Sequence, residues 1–423
     1  MPTRAKSSAT STTKTGAKPK YAVGLDAGSA YIRCVICVEE HGRLRFLGFG
    51  EVESTGWQKG SIADPMMVSS CIQRAVQEAE LQAQVAVDSL VAGVATSSMQ
   101  GGHHTGFYTS EGGPRSITES EVTKAADDAS QVRMPPDRTL LHVFPQNFTI
   151  DGRQYRNPRG VTTSRLQANV YMLTMSAREH NDLILAVHHA HFAVEETVFE
   201  PVAAAYACIL PEDRQRGVAL LDIGLHSSDL VVYEGDAIVH AVSLPICSEH
   251  FTRDVSLGLI VSFEDAERLK IQYGCAILGL TSDNSLIEVP SHDGRRLREA
   301  PRRMLNDVLE ARAEELFLMV RHELRSIGIE GLFEGMVLTG GGARLNGMCD
   351  MAERVLNCPA RNGLASGIQH WPEALDTPAW TTVAGLAMYS ARLKMKTKRE
   401  WKPKAPGLAG MIFAQKENRI ERS

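Results

Sequence analysis

The sequence predicts an α/β protein with an internally repeated unit, and three observations support this class. Two segments, which begin at residues 21 and 217, share the order hydrophobic run, Asp-x-Gly, polar turn and hydrophobic run: YAVGLDAGSAYIRCVICVEE and GVALLDIGLHSSDLVVYEG. Segments with apolar residues at three- to four-residue spacing, as in helices, lie between the strand-like runs. The length of 423 residues corresponds to about two to three domains. The repeated unit is the most informative internal similarity in the chain.

The first half of the chain contains the elements of one lobe and an insertion. After the first hairpin, the pattern predicts a third strand (RLRFLGFGEVES), a helix over 65–84 and a short buried strand over 89–96. Residues 98–167 are polar and rich in turn residues, and they predict a small inserted module. The following segments predict a strand over 170–176, a helix, a strand over 194–199 and an Ala-rich helix, EPVAAAYACIL.

The second half of the chain contains the second hairpin and more predicted helices. The second hairpin is followed by helix-rich sequence to about residue 330. VLTGGGARLNGM, over 337–348, predicts a strand, a Gly-rich turn and the start of a helix. A final helix is predicted over 381–393.

The distribution of charge along the chain indicates which kinds of partner the protein can bind. The net charge is −5, but residues 1–20 carry +5 and residues 394–423 carry +6, which leaves −16 for the body between them. An acidic body argues against nucleic acid bound by the body, whereas the basic ends favour anionic partners, including a membrane surface. No run of 18 apolar residues predicts a transmembrane helix, and the first twenty residues lack the apolar core of a secretory signal.

The eight cysteines are spread thinly over the chain and predict reduced thiols rather than a disulfide framework. Cys34 and Cys37 form the one close pair, in a strand-like run where residues i and i+3 point to opposite faces. We interpret them as buried structural thiols, which is typical of a reducing cytoplasm.

Three turns have the chemistry of a nucleotide clamp. Asp26 and Asp222 open the two hairpin turns, and Gly28 and Gly224 follow them, while a third turn contains three consecutive glycines at 340–342. Glycines allow backbone N–H groups to approach phosphate oxygens, and the carboxylates could hold a magnesium ion through its water shell. One Asp-x-Gly turn alone is more often structural. The ordered set of three predicts a nucleotide site.

These motifs resemble those of the actin-like ATPases and, within them, the FtsA family of bacterial cell-division proteins. LDAGSAYIRC looks like the first phosphate loop, LLDIGLHSSDLVVYEG takes the place of the second, and VLTGGGARLNGM resembles the adenosine motif. EPVAAAYACI and VAGLAMYS look like the two connecting helices between lobes. AERLKIQYGCA, EARAEELFLMVRHEL and LHVFPQNFTIDG are more specific to FtsA, and the resemblance covers about 21–395.

The resemblance implies an actin-like two-lobed ATPase fold, with ribonuclease H-like duplicated domains and an FtsA-type, SHS2-like subdomain inserted in the first lobe. The implied boundaries are a disordered tail (1–20), the first lobe (21–97 and 168–215), the insert (98–167), the core of the second lobe (216–247), its outer subdomain (248–334), the remaining core with the closing helix (335–393), and a basic linker with a membrane-targeting amphipathic helix (394–423).

The resemblance also implies roles for individual residues around ATP and Mg²⁺. Asp26 and Asp222 would hold the metal through waters, and Glu200 with Asp222 would act in hydrolysis by positioning the attacking water. The implied nucleotide-binding residues are Asp26, Gly28, Ser29, Arg33, Gly224, Ser227, Glu267, Lys270, Gly340, Gly341 and Gly342. Among these, Glu267 and Lys270 would line the adenosine pocket from one face of a helix.

The second phosphate loop departs from the family pattern. FtsA proteins usually have DIGGGT there, whereas this chain has Leu225 and His226 in place of two glycines. Leu would be strained if its position needed a positive φ, and both side chains could crowd the terminal phosphate. Tyr31 stands where a Lys is frequent. We therefore expect nucleotide binding with slow or negligible hydrolysis. For His226, the alternative to a side chain at the nucleotide site is a loop residue that faces the solvent.

The insert and the C-terminal tail suggest partners. By resemblance, the insert would serve self-association into filaments and contacts with later division proteins, the alternative being a surface elaboration without a partner. In the tail, Leu408, Met411, Ile412 and Phe413 could enter an anionic membrane surface while basic residues face lipid phosphates. A disordered solubilising tail is the alternative, because Gly410 and Gln415 interrupt the apolar stripe.

The function implied by the resemblance is to attach the FtsZ ring to the cytoplasmic side of the cell membrane at the division site, peripherally and without nucleic acid. The acidic, apolar FtsZ tail would dock on the outer subdomain near Arg321 and Arg325. Two alternatives remain from the sequence: a pilus-assembly scaffold of the PilM type, and a sugar kinase of the same ATPase fold. The kinase needs a substrate-activating carboxylate for which the sequence offers no clear candidate.

Overall fold

The protein is described here by a computed structural model that covers residues 20–395 except 236, 283, 292–295 and 333. The predicted disordered tail, apart from Lys20, and the predicted membrane-contacting residues Leu408, Met411, Ile412 and Phe413 lie outside the described residues.

The first lobe begins with a three-stranded meander and a long helix. Its elements are β1 (Lys20–Ala27), β2 (Tyr31–Glu40), β3 (Arg43–Glu53), β4 (Trp57–Gln58), β5 (Ser61–Ile62), α1 (Pro65–Ala83) and β6 (Ser89–Val94). The Asp64 side chain starts α1 by accepting hydrogen bonds from the backbone N–H groups of Met66 and Met67, and Pro65 occupies the first helical turn, where no N–H is needed. Residues at helical spacing in α1 bury one face against β2 and β3.

The inserted module follows β6. Its elements are β7 (Gln100–Thr109), β8 (Arg115–Ser116), α2 (Glu119–Ser130), β9 (Arg138–Ile150), β10 (Arg153–Tyr155), β11 (Thr162–Thr163) and β12 (Arg165–Ser176). Strands in the order β10–β9–β12–β7 form one antiparallel sheet, and α2 packs against it to enclose a separate small core. β12 runs past the predicted boundary at 167, since it is one continuous strand that pairs with β7 as far as Thr174 and with β9 as far as Ser176.

The chain then completes the first lobe and enters the second. The elements are α3 (Ala177–His189), β13 (Ala193–Phe199), α4 (Glu200–Cys208), α5 (Pro211–Arg216), β14 (Val218–Ile223), β15 (Ser228–Glu234) and β16 (Ala237–Leu244). The outer subdomain contains α6 (Ser248–Leu259), α7 (Phe263–Tyr273), β17 (Leu286–Pro290), β18 (Leu297–Pro301) and α8 (Arg302–Ser326). The last elements are β19 (Met336–Thr339), α9 (Met348–Leu356), β20 (Ala360–Asn362), β21 (Ile368–Gln369) and α10 (Thr381–Met395).

The two large sheets share a five-stranded topology, to which the first sheet adds β21 beside β3. The first has the order β13–β6–β1–β2–β3–β21 and the second the order β16–β15–β14–β19–β20. In each, three consecutive strands form an antiparallel meander, and two later strands add in parallel beside the first strand of that meander. This repetition confirms the prediction of a two-lobed α/β fold with a duplicated core.

Two helices connect the lobes. α4 and α10 pack against each other, α10 lies along β1, and α4 contacts β14 and β15 of the second lobe. Because β1 and β14 end beside these helices, both hairpin turns open into the space between the lobes. Within the residues that the structure describes, no helix is long and apolar enough to cross a membrane.

Candidate functional site

A cavity of about 610 Å³ lies between the two lobes. Both hairpin turns, the Gly-rich turn after β19 and one face of α7 line it. This volume falls within the range of small-molecule and cofactor pockets, about 300–1,000 Å³. The structure brings all the predicted nucleotide residues to the lining of this one cleft: Asp26, Gly28, Ser29, Arg33, Glu200, Asp222, Gly224, Ser227, Glu267, Lys270, Gly340, Gly341 and Gly342.

The first hairpin places a carboxylate opposite a guanidinium. Asp26 near the end of β1 pairs across the ladder with Arg33 of β2. Arg33 donates a hydrogen bond from Nε to Oε2 of Glu51 at 2.6 Å, and its guanidinium lies 5.1 Å from the ring centre of Tyr31 and 5.3 Å from that of Trp380. Burial raises the pKa of Asp26 to about 7, although the charge of Arg33 opposes the shift. Arg33 is thus held as a fixed positive charge at the cleft.

The second hairpin places a carboxylate opposite a carboxylate. Asp222 of β14 pairs across the ladder with Asp229 of β15. Thr382 of α10 donates a hydrogen bond to Oδ2 of Asp222 at 2.6 Å. Asp229 accepts hydrogen bonds from Ser227 at 2.7 Å and from Ser243. Burial raises the pKa of Asp222, with the Thr382 hydrogen bond opposing, and raises the pKa of Asp229 to about 7.

Glu200 lies at the start of α4, between the two hairpins. Burial raises the pKa of Glu200 well above its ordinary value, and the neighbouring charges of Asp26, Asp222 and Asp229 raise it further. The four carboxyl groups therefore form a desolvated cluster in which each ionised member disfavours ionisation of the others. A carboxyl in this setting can act as a base only when nearby positive charge makes its ionised form favourable.

This cluster fits a magnesium ion held through water. A divalent cation would relieve the mutual repulsion of buried carboxylates, and oxygen ligands are those that magnesium prefers. Asp26 and Asp222 are the members that approach each other from opposite lobes, close enough for the charge of Asp222 to raise the pKa of Asp26. Over the described part of the chain, no three His, Cys, Asp or Glu side chains are arranged as a direct ligand set.

The Gly-rich turn after β19 is packed closely on the second hairpin. Gly340 has a φ of +83°, and a Cβ there would overlap Oδ1 of Asp222. A Cβ on Gly342 would overlap the Ile223 side chain, whereas a Cβ on Gly341 would meet no atom of the described part of the chain within 4 Å. Gly340 and Gly342 are therefore required for packing against β14. Gly341 faces the open cleft, where a ligand can approach its backbone.

The Leu225–His226 substitution in the second turn is accommodated without backbone strain. Neither residue is among the described non-glycine residues with a positive φ. The carbonyl groups of Gly224 and Leu225 accept hydrogen bonds from the first N–H groups of α6, at 2.9 and 3.0 Å. The expected conformational cost of Leu225 is therefore absent, and the turn is fixed by α6.

His226 contacts the opposite lobe. A Cβ built on Gly60, in the turn between β4 and β5, would lie 3.2 Å from the Cβ of His226. The Nε2 atom of His226 is 3.7 Å from the Glu249 carboxylate, and its buried Nδ1 has no hydrogen-bond partner among the described residues. Burial lowers the pKa of His226, with Glu249 opposing the shift. His226 is therefore a partly buried interlobe contact beside the cleft, which is unlike a solvent-facing loop residue.

One face of α7 forms the other end of the cleft. Lys270 lies 2.7 Å from Oε2 of Glu267 and donates hydrogen bonds to Thr252 at 2.8 Å and to Ser248 at 3.0 Å. Burial lowers the pKa of Lys270, and the charge of Glu267 opposes that shift. Phe263 and Ile271, which are 46% and 71% exposed, also line the cavity. These apolar surfaces suit a base, and the Glu267–Lys270 pair offers polar groups beside it.

Sequence reasoning missed two residues of the site. Asp229 is equivalent by register to Arg33, seven residues after the hairpin Asp in both lobes, and that spacing was a signal available in the sequence. Thr382 had no such signal, because its hydrogen bond to Asp222 spans 160 residues. Arg321 and Arg325 do not line the cleft; they lie on α8, where Arg321 donates a hydrogen bond to the Val355 carbonyl at 3.3 Å.

Two family models match the chain. The model described as Cell division protein FtsA matches residues 219–385, and the SHS2 domain inserted in FTSA matches residues 97–174. The second match agrees with the module's extension into β12.

Solved structures support the fold. The chain superposes with a TM-score of 0.64 on a chain from the PilM-PilN type IV pilus biogenesis complex, at 17% identity, covering 87% of this chain and 98% of that one. For MreB5 of Spiroplasma citri bound to ADP, the TM-score is 0.50 at 14% identity, covering 89% and 97% of the two chains. The predicted actin-like two-lobed fold with an inserted subdomain is confirmed by these likenesses together with the SHS2 match.

The curated relatives decide the family. The Cell division protein FtsA of Pseudomonas aeruginosa is 31% identical over 373 residues, which cover 88% of this chain and 89% of that protein. The Cell division protein FtsA of Escherichia coli K12 is 30% identical over 380 residues, covering 88% and 90%. With identity at this level over nearly the full length of both proteins, the chain belongs to the FtsA family of cell-division proteins.

Proposed function

We propose that this actin-like cell-division protein binds ATP with Mg²⁺ between its lobes, hydrolyses it slowly, and attaches the FtsZ ring to the cytoplasmic side of the membrane at the division site. Later division proteins and further copies of the chain in filaments are the other proposed partners. The observation that supports the nucleotide part best is the meeting of the two hairpins across one cleft, with Arg33 on one side and the Asp222–Asp229 pair on the other.

In this proposal, each part of the cleft has a separate task. Arg33 and the backbone around Gly28 and Ser29 bind the terminal phosphates, as does the turn at Gly224. The Gly341 backbone and the apolar surface of α7 bind the nucleoside. Asp26 and Asp222 hold the metal, which neutralises phosphate charge. Fixed charges of this kind stabilise a phosphoryl-transfer transition state without covalent chemistry by the protein.

The proposed slow hydrolysis rests on the second turn. The side chains of Leu225 and His226 occupy this turn, where the family usually has glycines. Their bulk beside the proposed position of the terminal phosphate leaves binding possible and reduces turnover. Glu200 is the proposed base for the attacking water. Burial and the adjacent carboxylates raise its pKa, and the positive charge of a bound metal would oppose that rise.

Nucleotide binding is tested by titrating the purified protein with a fluorescent ATP analogue, with and without Mg²⁺. We expect Mg²⁺-dependent binding, and we expect Glu200→Gln to retain it while losing residual hydrolysis. Rapid Mg²⁺-dependent turnover by the wild-type protein would contradict the proposed slow ATPase, and binding indifferent to Mg²⁺ would contradict the metal site.

The tethering role is tested with two partners. An FtsZ tail peptide should be retained by the full chain, and Arg321→Glu with Arg325→Glu should weaken its retention if the acidic tail docks on α8. Vesicles that contain phosphatidylglycerol should co-sediment with the full chain and not with a chain lacking residues 401–423. Unchanged vesicle binding after that deletion would contradict attachment through the C-terminal segment.

A further inference from the structure

A buried histidine of the inserted module reaches the strand that leads to the proposed base. His142, on β9, accepts at Nε2 a hydrogen bond from the backbone N–H of Phe199 at 3.0 Å. His142 is 7% exposed and Phe199 is fully buried. Phe199 is the last residue of β13, and Glu200, the proposed base for the attacking water, follows it as the first residue of α4. One hydrogen bond therefore joins the insert to the residue that precedes Glu200.

This hydrogen bond supports a junction that has no other cap. β13 lies at the edge of the first sheet and pairs with β6 on one side. Phe199 is the N-cap residue of α4, and its side chain cannot accept a hydrogen bond from the helix. In a capping box, a Glu or Gln at the third helical position accepts from the N–H of the N-cap residue, but Val202 stands there. His142 takes over this acceptor role from a distant part of the chain.

The Glu200 side chain is confined by a strand of the first sheet. A Cβ built on Gly93, in β6, would lie 2.9 Å from Cγ of Glu200 and 3.1 Å from its Oε1. Gly93 pairs with Val198, the residue before Phe199, in the parallel ladder between β6 and β13. The Glu200 carboxyl therefore lies across a glycine, and its position depends on where the end of β13 is held.

From these contacts, we propose that His142 is a positioning residue for Glu200, through which the inserted module helps to set the rate of ATP hydrolysis. This inference rests on the proposed hydrolysis and deepens it. A general base has to lie within hydrogen-bond reach of the water whose proton it accepts. A displacement of about 1 Å can lower a rate about a hundredfold. His142 does not line the cleft, so its effect passes through the Phe199 backbone to Glu200.

The ring of His142 suits a permanent acceptor. Burial lowers the pKa of His142 to about 4, so the ring is neutral in the physiological range. Because Nε2 accepts from Phe199, the proton of the neutral ring is on Nδ1. The hydrogen bond is therefore present throughout the neutral pH range, and substitution of His142 is the way to remove it.

His142 also lies where the insert joins the first lobe. Its neighbour Leu141 belongs to the core of the first lobe, whereas Val143 belongs to the separate core of the insert. The ring centres of His142 and Phe144 are 5.2 Å apart. A movement of the insert against the lobe would displace the group that holds the Phe199 N–H. A partner bound to the insert could alter the hydrolysis rate by this route.

The test is single-turnover hydrolysis of γ-labelled ATP with Mg²⁺ by the full chain, together with titration of the fluorescent ATP analogue. His142→Phe keeps the bulk of the ring but cannot accept, and we expect the rate to fall at least about tenfold while affinity stays within about twofold. In His142→Gln, Oε1 can accept in place of Nε2, and this variant should hydrolyse ATP nearly as the wild type does. An unchanged rate in His142→Phe, or a lost affinity that explains the slower rate, would overturn the inference.

A shorter amide keeps the test decisive if His142→Phe does not fold. The amide of His142→Asn reaches only the position of Nδ1 and cannot replace the Nε2 acceptor. We therefore expect His142→Asn to hydrolyse ATP more slowly than His142→Gln. Equal rates in these two variants would contradict a role for the bond to Phe199.

His180→Phe is the matched control for stability. His180, on α3, is hydrogen-bonded through Nε2 to Oγ1 of Thr197 at 3.0 Å, two residues before Phe199 on the same strand. Its replacement removes a histidine bond to β13 and leaves the backbone next to Glu200 unchanged. We expect both Phe variants to lower Tm and only His142→Phe to slow hydrolysis. An equal fall in rate in His180→Phe would assign the effect to a general loosening of β13 and overturn the inference.

The outcomes also separate this inference from the proposed hydrolysis. Glu200→Gln gives the rate without the base. If Glu200→Gln slows hydrolysis and His142→Phe does not, the inference is wrong and Glu200 stays the proposed base. If the wild type and Glu200→Gln release phosphate at the same rate, or if neither releases any, both the inference and the proposed hydrolysis are wrong.

Discussion

The two hairpins at the cleft share one backbone plan and differ in charge. In both, an Asp near the end of the first strand pairs with the residue seven positions later: Asp26 with Arg33, and Asp222 with Asp229. The first hairpin thus presents a carboxylate beside a guanidinium, and the second presents two carboxylates. The shared register places equivalent positions at the cleft, and the residue at position 33 or 229 decides whether a hairpin adds positive or negative charge there.

The hairpins are also supported differently. Arg33 is held by Glu51 and by the faces of Tyr31 and Trp380, whereas Asp229 is held by the hydroxyls of Ser227 and Ser243. Burial nonetheless raises the pKa of Asp26 and of Asp229 to about 7 in each case. Desolvation is therefore the largest cause of the raised pKa in both hairpins. In the first hairpin, the Arg33 guanidinium only limits the rise.

The largest expected effect is a loss of stability when the close packing of Gly340 on the second hairpin is disturbed. Gly340→Ala should destabilise the protein by about 3 kcal/mol, because it adds strain at a positive φ and an overlap with Asp222. Gly341→Ala is the matched control for stability, because a Cβ there meets no described atom within 4 Å. Urea unfolding checks this difference. Equal stability of the two variants would show that the turn is not packed on Asp222 as described.

Removing the positive charge of the first hairpin should weaken ATP binding next most strongly. We expect Arg33→Gln to reduce affinity about 10–100-fold, which is the range for a lost hydrogen bond to a charged group. Arg45→Gln is the matched control, since Arg45 lies on the same sheet in an ion pair with Glu40. Titration with the fluorescent analogue measures both. Similar affinities in the two variants would contradict a phosphate-binding role for Arg33.

The second hairpin should make nucleotide-free stability depend on pH. The Asp229 carboxyl keeps its proton up to about pH 7 in the folded protein but loses it near its ordinary pKa of 3.8 when unfolded. Stability therefore falls as pH rises from about 4 to 7, and the loss is complete above pH 7. We expect Tm to fall by about 2–4 °C for each kcal/mol lost.

Asp229→Asn should reduce this fall in Tm between pH 5.5 and 8, as followed by thermal unfolding. Asp182→Asn is the control, because Asp182 pairs on the surface with Arg178 and lies outside the carboxylate cluster. The two variants would have equal pH slopes if the raised pKa of Asp229 had no part in stability.

The smallest expected effect is a change in the rate of ATP hydrolysis when His226, in the turn of the second hairpin, is replaced. His226→Gly should remove the side chain that lies close to Gly60 and beside the proposed phosphate position, and it should raise ATP turnover by less than about tenfold. Steady-state hydrolysis with Mg²⁺ measures the change, and Glu200→Gln in the same background should abolish it. A decrease in turnover would instead assign His226 a positive role in closing the cleft.

The sequence predicted the cleft better than it predicted the insert. The spacing of Asp26, Asp222 and the glycines at 340–342 was sufficient, because short turns are determined by local residues. In the insert, residues 98–167 are polar and rich in turn residues, yet Gly101 to His104 form part of β7. A Cβ on Gly101 would overlap the Tyr171 hydroxyl of the adjacent strand, so glycine is required there by a tertiary contact that local sequence does not reveal.

The central claim is that the two hairpins bind one metal–nucleotide complex between them. Its most direct test is a crystal structure with ATP and Mn²⁺, in which anomalous scattering locates the metal. We predict one Mn²⁺ peak between the Asp26 and Asp222 carboxylates, with the phosphates between the hairpins. ATP bound with its metal outside this cleft would contradict the account.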